Sequence, residues 1–549
     1  MNRLLTFRII TASIFLTFIS CSKDSDDPVP QETEITVSTT DFSITIDENP
    51  TIGQVIGSVQ GSTNEGTVTF SITEQIPEGA FSIDASSGEL KVADETLFDF
   101  ETNPTITGTV QVANGAVSEN ASVVITLNDL VEENVFNGTV QLFTQAEVDT
   151  FGANNYTVIT QTLLIGSLAG DPSLIEDLSN LASIKYIGGQ LNIVDNENLA
   201  SLDGLQNIET IGGDVNIMEN PILNNLTSLA GITQLSKLTI SKNGSLENVE
   251  GFQDLITING TLNIWDNESL LTVDGFRNLT SIGNGLSVWG NSSLNDIDGF
   301  LNLSTVADNI QIIDNHDLKN IEGFRGLTQI NTGLTIRDNA SLLNLEGLRN
   351  VVNAEGISLS IVNNPYLMHL NGLNNFTNLS SLAIEDNDLL SDISALENLL
   401  SVNYINIYRN SALTQLNIFN NIYSLSGDLY IKQNANLRGI GSLHNLTSIG
   451  GQLQIADNPL LENINGLQSL QSVSRNIYVS DNNNLTNLDG FSSLTFAGRN
   501  LTITRNDVLI DFCGLQPLFT NNGIMGDYNV RHNGYNPGPN DIIAGNCRL

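Results

Sequence analysis

The sequence predicts an all-β-dominated protein: a small N-terminal β-sandwich followed by a long right-handed parallel β-solenoid of about 24 residues per coil, closed by helical and disulfide caps. Three observations carry this prediction. One asparagine recurs every 23 to 25 residues over most of the chain, with apolar residues at fixed distances on either side. Short segments of alternating apolar and polar residues, separated by turn signals, fill residues 42–130. The composition is that of a folded chain poor in cations: 549 residues, 40% hydrophobic, 46 glycines, and a net charge of −41 from 61 Asp and Glu against 20 Lys and Arg. Such hydrophobic content excludes a disordered acidic tail. The charge excludes nucleic acid and anionic headgroups as partners, because a polyanion repels them.

The first element is an address. Arg3 and Arg8 precede and interrupt an apolar run, Ile9 to Ile19, that ends at Ser20-Cys21. The run is shorter than the roughly 20 residues of a membrane span, and residues 1–20 read as a secretory signal peptide. Cys at the cut site resembles a bacterial lipoprotein signal, with Phe18 where Leu is usual, and the resemblance implies lipidation of Cys21. Ser22-Lys23-Asp24-Ser25-Asp26-Asp27 is similar to the acidic export signal of Bacteroidota surface lipoproteins. Residues 21–36 then form the lipidated Cys and a flexible tether. The expectation is an outer-membrane protein exposed on the cell surface, touching the membrane only through its lipid. With Cys21 taken by lipid, Cys513 and Cys547 remain as an even pair for a disulfide in an oxidising compartment. The four histidines are scattered, and no CxxC suggests a metal site.

The second element, residues 37–132, has strands such as Phe42-Ser-Ile-Thr-Ile46, Val68-Thr-Phe-Ser-Ile72 and Val123-Val-Ile-Thr-Leu127. It resembles a cadherin-like domain. Asp47-Glu48-Asn49-Pro50 stands at the family's entry motif, Phe81-Ser-Ile-Asp84 with Ser87-Gly88-Glu89-Leu90 matches FSID…TGEL, and Phe98-Asp99-Phe100-Glu101 sits at the LDRE position. The resemblance implies a Ca²⁺ site on Glu48, Asp99, Glu101 and Asp129, since calcium takes six to eight oxygen ligands. The chain departs from the family at the linker, which reads Thr126-Leu127-Asn128-Asp129-Leu130, and no second cadherin-like domain follows to complete the cage. No cofactor is otherwise required.

The third element is the repeat. Its asparagines are Asn196, Asn220, Asn243, Asn267, Asn291, Asn315, Asn339, Asn364, Asn387, Asn410, Asn434, Asn458, Asn482 and Asn506. Period-2 alternation before each Asn makes a short strand, and the fixed period stacks these strands into a parallel sheet. A carboxamide both donates and accepts, so a buried Asn satisfies backbone groups of its own and adjacent coils. The Gly of each [Asp/Glu/Asn]-Gly-[Leu/Phe] corner is expected to supply a positive φ. The pattern resembles leucine-rich repeats, with the Leu three rather than two residues after the Asn, as in receptor L-domain repeats. Residues 173–510 are assigned to the solenoid. Residues 133–172 form an N-terminal cap, where Thr144-Gln-Ala-Glu147 is a capping box. Residues 511–549 form a C-terminal cap with a last degenerate repeat near Asn533.

No nucleophile elbow, P-loop, HExxH or EF-hand loop occurs. Arg337, Glu385, Tyr408 and Lys432 share the outward position two before the ladder Asn, and read as a charge pattern that keeps the sheet soluble. The residue just before the Asn is often acidic (Asp195, Asp266, Asp314, Asp338, Asp386, Asp457, Asp481) and reads as a solvated turn. The two tryptophans, Trp265 and Trp289, occupy that outward position in consecutive coils, near Met218 and Ile313. Together with Tyr408 and Tyr430 they are the candidate ligand contacts. The favoured reading is a non-enzymatic binding or adhesion lipoprotein presenting its solenoid to an extracellular glycan or protein. A β-solenoid polysaccharide-degrading enzyme and a purely structural spacer are the alternatives.

Overall fold

The computed structural model describes residues 33–130, 133–168, 170–352 and 356–549; the stretch read as a signal peptide, Cys21 and most of the expected tether lie outside the described residues. The chain is mostly β and divides into two units, one ending at Glu132 and one spanning Glu133–Leu549. Among the described residues no helix is long and apolar enough to cross a membrane.

The first unit is a sandwich. One sheet orders Phe42–Asp47, Val117–Asn128, Thr105–Asn114 and Thr69–Ile76; the other orders Val55–Ser58, Glu89–Val92 and Phe81–Ile83. Phe42–Asp47 pairs parallel to Val117–Asn128, and the other pairings are antiparallel. Alternation along each strand turns one face inward, and Phe70, Phe81, Phe98, Ile106, Val110 and Ile125 form the core.

In the second unit a single 17-stranded parallel sheet runs from Val140–Leu142 to Tyr528–Arg531. Two-residue strands such as Thr257–Ile258 and Ser281–Ile282 make a second side, and 3-10 turns such as Asp274–Phe276 and Asp298–Phe300 a third. Each coil is therefore a strand, an Asn corner, a 3-10 turn and a short strand. The apolar positions of the repeat all point inward: Leu262, Ile264, Leu270, Val273, Phe276, Leu279 and Ile282 are each 1% exposed or less. Phe252, Phe276, Phe300 and Phe324 stack along the core with ring centroids 5.7–5.8 Å apart.

The asparagine ladder bonds as its chemistry requires. The Asn291 backbone N–H donates to Asn315 Oδ1 (3.2 Å), and its Nδ2 donates to the carbonyls of Ile264 and Trp289 (3.0 Å each). All fourteen ladder residues are 0% exposed, and Asn506 passes the pattern on to Asn533 in the degenerate last repeat. At the opposite end Asn196 Oδ1 is buried without a donor.

Other asparagines do different work. Asn248, Asn320 and Asn344 accept from the N–H two residues on, opening the 3-10 turns. Asn278, Asn302 and Asn350 donate to the carbonyls of Gln253, Arg277 and Arg325 in the preceding coil. Hydroxyls of Thr280, Ser304 and Thr328 form a further column, each donating to the carbonyl of the coil before. About 70 asparagines thus fill several structural positions rather than one.

The structure corrects the expectation for the corner glycines. Gly275, Gly299, Gly323 and Gly347 do not have positive φ; only Gly204 (φ 114°) and Gly372 (φ 107°) of this class do. The reason for glycine is close approach: a Cβ on Gly275 would lie 1.7 Å from the Val249 carbonyl oxygen, and one on Gly299 1.8 Å from that of Val273. Positive φ falls instead on the residue before each ladder Asn, including Asp266 (53°), Asp314 (55°), Asp338 (57°) and Gln433 (55°). The acidic bias there follows, because Asp and Asn tolerate the left-handed region better than most side chains.

The ends are capped. Thr144 and Glu147 form the capping box of helix Gln145–Gly152, with Val148 buried and Phe151 packed against Phe136 and Tyr156. At the other end the short helices Gln516–Thr520 and Pro539–Ile543 flank the last strand, and Cys513 and Cys547 are disulfide-bonded.

Candidate functional site

The outward face of the long sheet carries the candidate contacts. In a parallel stack in exact register, residues at one repeat position form a column about 4.8 Å apart. Met218 pairs with Ser241, Ser241 with Trp265, Trp265 with Trp289, and Trp289 with Ile313. The two indoles stack with centroids 5.4 Å apart and planes within 4°. Trp289 is 37% exposed, while Trp265, Met218 and Ile313 are half-buried. Stacking commits one face of each ring to the other. The Lys242 ammonium lies 5.6 Å over the Trp265 ring and pairs with Glu219 Oε1 at 2.7 Å. Because Lys242 belongs to the coil before Trp265 and Trp289 to the coil after, both faces of Trp265 are occupied.

A second aromatic group lies farther along the same face. Tyr408 faces Glu385 on one side and Lys432 on the other; Asn406 faces Tyr430. The Lys432 ammonium sits 4.7 Å over Tyr430 and 5.4 Å over Tyr408. Tyr430 donates to Asp428 Oδ2 (2.9 Å), and burial together with that carboxylate pushes its phenol up to about 12. Glu385 accepts from Asn406 Nδ2 (2.7 Å). Tyr404, edge-on to Tyr430, completes the group. Sequence reasoning names Tyr408 and Tyr430 but misses Tyr404, although the alternation Tyr404-x-Asn406-x-Tyr408 places all three on one face.

Three of the acidic positions before the ladder Asn pair with an arginine. Arg505 holds Asp481 through two bonds (2.6 and 2.8 Å) and keeps its carboxyl below the ordinary range. Asp386 pairs with Arg409, and Asp338 with Arg337. Asp457 is raised, by burial and then by the charge of Asp481.

In the sandwich, ligand atoms of Glu48, Glu101 and Asp129 lie within 4.8 Å of one another, the only such acidic group among the described residues. Glu48 is 2% exposed, and its two oxygens accept from the N–H groups of Phe100 (2.7 Å) and Leu130 (2.5 Å). A bond from its own backbone N–H lowers the Glu101 carboxyl, but burial and the charges of Glu48, Asp129 and Asp99 outweigh it and hold the carboxyl above its ordinary value. Asp99 is not in the group: its carboxylate accepts from the Thr102 N–H and hydroxyl, closing its own turn. The three remaining carboxylates are hard oxygen donors with no cationic side chain paired to them among the described residues, which fits a hard cation.

No family model matches the chain, and no curated protein matches it. Similar solved structures include protocadherin gamma B2 extracellular cadherin domains 3-6 (22% identity, TM-score 0.16, covering 18% of this chain and 23% of that one). The human desmocollin-1 ectodomain matches with 21% identity and TM-score 0.15, over 19% of this chain and 23% of that one. Mouse cadherin-23 EC22-24 matches with 19% identity and TM-score 0.16, over 20% of this chain and 39% of that one. The N-terminal sandwich is the region that matches cadherin domains. In each case the match spans well under two thirds of the solved structure.

Proposed function

We propose that this protein is a non-enzymatic, cell-surface binding or adhesion lipoprotein whose solenoid presents its outward sheet face, centred on Trp265 and Trp289, to an extracellular glycan or protein. The observation that carries the reading is the indole pair itself: the chain's only two tryptophans, stacked 5.4 Å apart on a solvent-facing sheet, with Trp289 37% exposed. Large rigid aromatics on an exposed face are the residues on which binding energy concentrates. Trp265→Ala with Trp289→Ala is expected to abolish capture on glycan and protein arrays while circular dichroism and the melting temperature stay nearly unchanged. Unaltered capture, or unfolding of the central coils, overturns it.

Two further parts belong to this proposal. Lipid on Cys21 anchors the chain, so Cys21→Ser releases it from the membrane fraction; retention of that variant counts against the anchor. Glu48, Glu101 and Asp129 would hold calcium at the pole of the sandwich, supplying carboxylate oxygens to a hard cation. Calorimetric titration of calcium into the full chain and into Glu101→Gln tests this, with heat expected only from the former.

A further inference from the structure

The outward column that contains the tryptophans is interrupted once between large side chains. Met218 and Trp265 lie two coils apart, about 10 Å, with Ser241 between them in register with both. A serine there leaves roughly the thickness of one ring unfilled. Ser241 and Thr239 both point outward from strand Leu238–Ser241, yet they are 0% and 5% exposed. Their hydroxyls, Ser241 Oγ and Thr239 Oγ1, are buried and have no hydrogen-bond partner. Burying a hydroxyl unpaired is costly, so two on one short strand demand an explanation.

The cover over Ser241 is Lys242, while Thr239 lies in register between Asn216 and Asn263. Its ammonium is held between Glu219 of the coil before (2.7 Å) and the Trp265 ring of the coil after (5.6 Å), and so spans its own coil's Ser241. Both members of the Lys242–Glu219 pair are 47% exposed. An exposed ion pair and an exposed cation–π contact are each weak, and Met218 is a flexible side chain, so the cover is easily displaced.

We propose that the position above Ser241 is a slot for one uncharged sugar ring, inserted between Met218 and Trp265 when Lys242 swings aside. This rests on the reading of Trp265 and Trp289 as the contact centre. Displacing Lys242 frees the indole face of Trp265 that Trp289 does not cover, and a sugar's apolar face stacks there. The Ser241 hydroxyl at the floor donates and accepts, as does the Thr239 hydroxyl two residues back on the same strand, and at the mouth Glu219 accepts. That set complements a polyol. An aromatic side chain from a protein would fill the same space but leave both hydroxyls unpartnered. An acidic sugar is disfavoured by the chain's net charge of −41.

The test uses the full chain and its intrinsic tryptophan emission, which reports on this site alone because the chain has two tryptophans. Neutral hexose oligosaccharides (maltohexaose, cellohexaose, mannohexaose) are titrated, with hexagalacturonic acid as the charged control. At least one neutral probe is expected to shift the emission, and the acid is not. Lys242→Ala is expected to tighten binding about fivefold, and Ser241→Leu, which fills the slot, to abolish it. The pair Ser241→Ala with Thr239→Val is expected to raise the melting temperature while weakening binding about tenfold, a combination that a purely structural role does not give. No response to any neutral probe in either the wild type or Lys242→Ala overturns the proposal, as does wild-type binding by Ser241→Leu. If Trp265→Ala with Trp289→Ala abolishes array capture while Ser241→Leu retains it, the slot is wrong and the contact centre stands; if neither affects capture, both fall.

Discussion

The two units assemble their chemistry in opposite ways. In the sandwich, Glu48 bonds a backbone N–H 82 residues away, and the acids of its cluster come from three segments joined only by the fold. In the solenoid, the partners of a ladder Asn lie either two residues back on its own strand or, for most rungs, 23 to 28 residues away in an adjacent coil. A site in the first unit is an intersection of distant segments; a site in the second is an addition along a column. Damage should therefore spread differently: through the whole core of the sandwich, but from coil to coil along the stack.

The sharpest tests of this contrast are core substitutions. Phe98→Ala removes a fully buried ring and is expected to cost about 3–5 kcal/mol, unprotecting every sandwich strand together in hydrogen exchange. Gly299→Ala would place a Cβ 1.8 Å from the Val273 carbonyl, and Asn315→Leu would take the acceptor from the Asn291 N–H and one donor each from the carbonyls of Val288 and Ile313. Each is expected to cost about 3 kcal/mol or more, with exchange rising first in the flanking coils. Uniform loss along the solenoid would contradict nearest-neighbour coupling.

Next in size is the C-terminal clamp. Cys513→Ser with Cys547→Ser opens a loop of sequence separation 34 and is expected to cost about 3 kcal/mol. The loss should appear in strand Tyr528–Arg531 and spare the coils around Trp265.

A smaller effect is set by pH. Glu101 is raised above its ordinary 4.5 in the folded sandwich. The folded state therefore binds its proton more readily than the unfolded chain does. The resulting destabilisation is complete above the raised value and disappears as pH falls through it towards the unfolded one. Lowering the pH from 7 through the raised value towards 4.5 is expected to raise the melting temperature of the sandwich, and Glu101→Gln to flatten that response. Smallest is a gain: Gln433 has φ 55°, and Gln433→Gly is expected to add about 0.5–1 kcal/mol, seen as a slightly higher denaturation midpoint.

The same contrast explains what was legible in the sequence. The Trp265–Trp289 stack could be anticipated because a fixed period converts spacing into adjacency. The Asn ladder, the Thr144 capping box and the Cys513–Cys547 bond were legible for similar local reasons. In the sandwich the motif positions suggested four acids, but only geometry shows that Asp99 turns to Thr102 while Glu48, Glu101 and Asp129 converge. The solenoid also hid features that periodicity alone does not encode. The corner glycines are fixed by contact with the preceding coil, so their true reason is visible only once coils are stacked. The left-handed residue before each Asn was signalled by its Asp and Asn bias, but charge was read where backbone conformation decides. Ser241 and Thr239 gave no signal, because a small polar residue on an outward column reads as solvated until its neighbours are placed around it.

The ladder has one further consequence, for length. Every Asn N–H donates toward the following coil, and the bonding is the same at each step. The array is therefore quantised: removing residues 292–315 would join Asn291 to the segment after Asn315 and leave every rung with a donor and an acceptor, whereas removing half as many would break the register of sheet, core and ladder at once. A gene encoding such a chain can lengthen or shorten its product in whole coils without inventing a new junction. The reach of the protein and the number of columns it displays are then adjustable in steps of about 4.8 Å, while the caps at both ends stay as they are.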